Sequence, residues 1–206
     1  VSRMSFTMWW NGGMRTTPYF HNMVGLLSEV GHASATPQYH DPERLPEAFG
    51  SGSHRISARE PSVYYANPWE GGWARLADAV AYHFESSMGA LDIASRLRED
   101  WLFNMWLLAN RQIEAGRAGG PFAYVVDLDA QRDAGEAVEL LNVLRRGGIE
   151  IHRATAPFTA GGQSYPAGSY IAYAGQAFRA HLMDMLEPHE HPNREQYPGG
   201  PPEPPY

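Results

Sequence analysis

FAYVVDLDAQRDAGEAVELLNVLRRGGIEIHRA, residues 122–154, is the stretch that sets the fold class. Phe122 to Val126 is a short apolar run of strand length. Arg132 to Arg146 predicts a helix, with Ala137, Val138, Leu140, Leu141 and Leu144 inside it and Gly147-Gly148 as its stop. Ile149 to Ala154 predicts the next strand, with Ile149 and Ile151 inward and Glu150 and His152 outward. Strand, helix and strand in this span make a βαβ unit, most simply with parallel strands and a right-handed crossover. The class is α/β.

Working outward, Phe158 to Tyr173 reads as two short strands around Gly161-Gly162 and Pro166-Ala167-Gly168, and Phe178 to Leu186 as a last short helix. Tyr197 to Tyr206 is rich in Pro and Gly, a rigid polar tail with no packed element. Upstream, Gly72 to about Ala115 is helical. Leu76, Val80, Phe84, Met88 and Leu91 recur at three to four residues, one helix face, and Leu97, Trp101, Met105 and Leu108 continue it. The length allows one long helix or two with a break. Gly116, Gly119, Gly120 and Pro121 end it, and a domain boundary falls there. Ala33 to Asn67 has little periodicity and reads as a long irregular segment. Met23 to Val30 reads as a buried strand, bounded by Gly12-Gly13 and Pro18 before it and Gly31 after it. The expected organisation is 1–118, 119–190 and a tail, 191–206.

The 206 residues allow one large or two small domains. Hydrophobic content of 43% and charged content of 19% are globular values. A net charge of −7, with no basic stripe, argues against a nucleic-acid partner. No apolar run has the length of a membrane helix. There is no cysteine, which excludes disulfides, thiolate zinc sites and a cysteine nucleophile. Val1 and the Pro/Gly tail read as cuts inside a longer protein, so the missing signal peptide leaves the compartment open.

The first thirty residues carry the chemistry. Trp9-Trp10-Asn11-Gly12-Gly13-Met14-Arg15-Thr16-Thr17-Pro18-Tyr19-Phe20-His21-Asn22 runs into Met23-Val24-Gly25-Leu26-Leu27-Ser28-Glu29. A glutamate closing an apolar strand is costly to bury without a partner. Such a carboxylate, held rigidly and partly desolvated, is what a general base needs. The alternative is a strand-end glutamate facing solvent.

A Gly-Gly turn followed by a glutamate at the end of an apolar strand resembles the zinc carboxypeptidases of carboxypeptidase A type. His21 to Glu29 resembles a bacterial branch that carries an appended glutamine-amidotransferase-like domain. The resemblance implies that this chain is the C-terminal part of such a protein. Residues 1–118 would be the rest of a mixed sheet with a long helix, and 119–190 a small flavodoxin-like or amidotransferase-like α/β domain. It implies Glu29 as the general base acting on zinc-bound water, a peptide substrate, and a periplasmic or secreted parent. Arg15 follows the turn where the family lines its specificity pocket. A guanidinium there favours acidic C-terminal residues; the alternative is a surface arginine.

The family's zinc ligands, a His-x-x-Glu pair and a later His, lie upstream of the catalytic strand, so Zn2+ is expected of the parent and its ligands lie outside this chain. The upstream half of the same domain is the expected partner, and the chain alone is expected to be inactive. His40-Asp41-Pro42-Glu43 is the one His-x-x-Glu string; it follows Glu29 and holds a proline, and reads as coincidence. The family's active-site tyrosine has no clear match, since Met8, Trp9 and Trp10 stand before the turn and Tyr19 stands after it. His189-Glu190-His191 has metal-ligand chemistry, but Pro188 and Pro192 make it a solvated turn. His21 and His32 read as structural histidines flanking the strand. Tyr64, Tyr65, Trp69 and Trp73 read as a peptide-binding rim or as anchors of a loop on the core. A non-catalytic ligand- or partner-binding module on a degenerate peptidase domain is the competing function.

Overall fold

The computed structural model describes residues 13–30, 34–49, 55–63, 65–190, 195 and 197–202. The chain is mixed α/β, with small antiparallel sheets and four α-helices among the described residues. It divides into two compact units. One holds Leu26–Arg98 and the described part of the tail; the other holds residues 13–25 and Glu99–Glu190.

In the first unit, β1 (Gln38–His40) pairs antiparallel with β4 (Gly72–Ala74), and β2 (Ala48–Phe49) with β3 (Ile56–Ser57). The segment expected to be irregular therefore contains three short strands and a 3-10 turn at Pro42–Arg44. Helix α1 spans Leu76–Arg96 and α2 spans Arg98–Ala118, so the helical region is two helices broken at Leu97. The Asp78 carboxylate accepts from the Arg75 backbone N–H at 2.8 Å, one side-chain bond that closes the start of α1. The expected stripe of α1 is present but uncovered: Leu76, Val80, Phe84, Met88 and Leu91 are all exposed.

Residues 23–30 correct the sequence reading. They belong to no strand, and Met23, Val24, Leu26 and Leu27 are exposed rather than buried. An apolar run becomes a buried strand only where a neighbour supplies a ladder, and no described residue does so here. Glu29 consequently ends an exposed segment, not a strand.

The second unit follows residues 122–154 closely. Strand β5 is Ala123–Val126, and helix α3 is Ala134–Arg146, capped by the Asp133 carboxylate, which accepts from Gly135 N at 2.9 Å and Glu136 N at 3.1 Å. Strand β6 is shorter than expected, His152–Arg153. The next stretch forms three strands, not two: β7 (Phe158–Ala160) and β8 (Gln163–Tyr165) form a hairpin, and β9 (Tyr170–Tyr173) joins the main sheet. The sheet order is β5-β9-β6, with both outer strands antiparallel to β9. The two strands of the βαβ unit thus run parallel, as read, but β9 lies between them. Helix α4 spans Arg179–Leu186. The core is Leu144, Ile149, Ala172, Ala174 and Leu182, packed by Tyr124, Leu140, Ile151, Phe178 and Leu186. No helix among the described residues is long and apolar enough to cross a membrane.

Candidate functional site

A groove of about 910 Å3 opens in the first unit between β1, residues 65–71, β4 and the start of α1. Its shape follows from local chemistry. Gly71 turns the chain at φ +94°, and a side chain there would meet the carbonyl oxygen of His40 at 3.0 Å. The Trp69 N–H donates to the Tyr65 hydroxyl at 2.7 Å, fixing the loop. His40 packs edge-on to Trp69 with centroids 5.2 Å apart, and Tyr39 packs on Trp73 at 5.4 Å. The Arg75 guanidinium lies 5.8 Å from the Trp73 ring centroid, a cation over an aromatic face.

Tyr65, Trp69 and Trp73 anchor the loop and also line the groove; Tyr64 lies outside the described residues. Arg75 and Asp78 line it as well and were missed as site residues, although an acid three residues past a helix start is a readable cap signal. Val30, the residue after Glu29, lines the groove too. Glu29 is exposed, and its neighbour Ser28 lies 3.4 Å, Oγ to Nδ1, from His83 of α1.

Arg15 belongs to the second unit, half-buried in the turn before the 3-10 helix Thr17–His21. Thr16, buried, donates to Gly13 O at 2.9 Å, and Tyr19 donates to Gly25 O at 3.1 Å, closing residues 13–25 on themselves. His21 is a structural histidine: its Nδ1 lies 2.8 Å from Thr17 O and its Nε2 2.9 Å from Gly147 O. Only the imidazolium can donate to both; the neutral ring donates to one. His181, which the sequence did not single out, packs against it with ring centroids 4.4 Å apart and planes tilted by 39°. Burial first, and then the charge of His21, hold the His181 pKa below its ordinary value, against an opposing pull from Asp184. Tyr124 donates to Glu187, and burial followed by this bond pushes its phenol well above the usual range.

No described His/Asp/Glu group of three or more is arranged to hold a metal ion. His40 is taken up by Trp69, while Glu43 sits in a 3-10 turn, its N–H bonded to the Asp41 carboxylate at 3.1 Å. His189 lies 2.6 Å from Asp184 O, below α4. His191, His32, Met8, Trp9, Trp10 and Gly12 lie outside the described residues. No family model, no curated protein and no solved structure matches the chain.

Proposed function

We propose that this chain is the C-terminal part of a zinc carboxypeptidase-like protein that hydrolyses C-terminal peptide bonds, with Glu29 as its general base. The observation that carries this reading is the phrase from Gly12-Gly13 to Glu29, an exposed residue whose neighbour Val30 lines an aromatic-rich groove of about 910 Å3. Glu29 takes a proton from the attacking water as the new C–O bond forms. It delivers that proton to the amine as the C–N bond breaks. No group of three among the described residues is arranged for zinc; the resemblance assigns its ligands to the upstream half of the domain. By the same resemblance, Arg15 is the candidate for selecting acidic C-terminal residues. Residues 119–190 are the small amidotransferase-like domain, without a cysteine and therefore without that chemistry.

The uncovered stripe of α1 and the exposed Met23 to Leu27 support the same reading. Side chains of this size each gain roughly 1.5–3 kcal/mol on full burial, so a partner half that covers them gains substantially. A second reading has its own support: the core of the second unit is drawn wholly from residues between Tyr124 and Leu186, as a ligand- or partner-binding module would have it.

Carboxypeptidase activity of the zinc-loaded full-length parent and its Glu29→Gln variant separates the two. The enzyme reading expects trimming by the parent and a loss of about 10²-fold or more in the variant at unchanged zinc content. A folded, zinc-loaded parent without activity, or a variant equal to it, leaves the module reading.

A further inference from the structure

A second cleft, of about 270 Å3, lies in the second unit where the last turn of α3 faces β6 and β9. Its polar lining residues are Arg145 and Asn142 from α3, His152 and Arg153 from β6, and Tyr170 from β9. No carboxylate is among the described residues that line it. In a chain of net charge −7, an acid-free cleft with two guanidinium groups is a local reversal of sign.

Arg146, next along the helix, is neutralised by Glu139 at 2.5 Å. Arg145 and Arg153 make no ion pair among the described residues. Arg153 is instead steadied by Tyr170, its partner across the strands, with its guanidinium 6.0 Å from the ring centroid. Compensation of the α3 dipole explains a cation at Arg145. It does not explain a second one contributed by a strand on the facing wall, nor the absence of acids between them. The floor is apolar, with Leu141 buried and Ile151 half-buried.

We propose that this cleft binds a small anion, a carboxylate or phosphate group carried on a short apolar body. Guanidinium groups grip such oxyanions in bidentate fashion, the Asn142 amide adds a neutral donor, and the body rests on Ile151 and the Tyr170 ring. The volume sits at the small end of ligand pockets, which suits a single residue or a compact metabolite rather than a nucleotide. This site is separate from Glu29 and stands whether or not the peptidase reading does.

Calorimetric titration of the full 206-residue chain at fixed ionic strength tests it, with inorganic phosphate in one arm and N-acetylphenylalanine in the other. The expected result is saturable millimolar or tighter binding in at least one arm, and the stronger arm identifies the anion. Arg145→Gln with Arg153→Gln weakens that binding about tenfold or more, whereas Arg132→Gln, outside the cleft, leaves it unchanged. Arg145→Lys with Arg153→Lys keeps the charge and loses the fork, so it retains the fold and only part of the affinity. Absence of saturation in both arms, or lysine and glutamine pairs that bind as the wild type does, overturns the proposal.

Discussion

His181 shows how a single side chain ties this fold to pH. Its folded pKa lies below the ordinary 6.5, so the folded state favours the neutral ring. The stability this contributes is complete above about pH 6.5 and is lost as pH falls through the lower folded value. Melting curves of the chain from pH 8 down to pH 5 are expected to shift to lower temperature in the acid half. His181→Gln is expected to flatten that part of the profile; equal pH dependence in the two proteins would sink the assignment. None of this was readable from sequence, because His21 and His181 meet only through the packing of the 3-10 helix against α4 and Gly147. The residue type and spacing that make the phrase ending at Glu29 resemble the family's were readable. The surroundings of Glu29 were not, since burial depends on neighbours far away in the chain.

At the scale of elements, two glycines make the same substitution run in opposite directions. Gly116, in the last turn of α2, is buried, and an added Cβ would overlap the Ala174 carbonyl. Gly89, in α1, has nothing within 4 Å of that position. Alanine gains roughly 1 kcal/mol of helix propensity at either place. At Gly116 the overlap with rigid backbone costs about 1–3 kcal/mol or more and outweighs it. Denaturant unfolding is expected to show Gly116→Ala destabilised and Gly89→Ala neutral or stabilised; a stabilised Gly116→Ala would show that α2 does not back onto the end of β9. Local pattern did reveal most of these elements: the helix periods, their glycine stops and the alternation of Ile149 and Ile151. It did not reveal that β9 would insert between β5 and β6, because antiparallel pairing of Tyr170 with both Val126 and Arg153 is a long-range choice with no local signature. The apolar run at 23–30 was misread for the same reason: hydrophobicity marks a possible strand, and a ladder makes it one.

For the whole molecule, the two units are built with different resources. Every fully buried large side chain among the described residues belongs to the second unit, whereas the buried apolar residues of the first are Ala58 and Ala79. A unit without large buried side chains has little to offset its chain entropy. Limited proteolysis is therefore expected to cut within Leu26–Arg98 first and leave a resistant product starting near Glu99, with α2 retained. A resistant product from within Leu26–Arg98 would contradict this.

The membership of residues 13–25 in the second unit also orders events during synthesis. That segment leaves the ribosome before all of Leu26–Arg98, while the groups that hold it, Gly147 O for His21 and Ala177 O for Asn22, come well after. At elongation rates of about 5–20 residues per second the gap lasts of the order of ten seconds. Throughout that interval residues 13–25 lack the groups that later hold them, so the segment waits unpaired until the far end of its own unit is made.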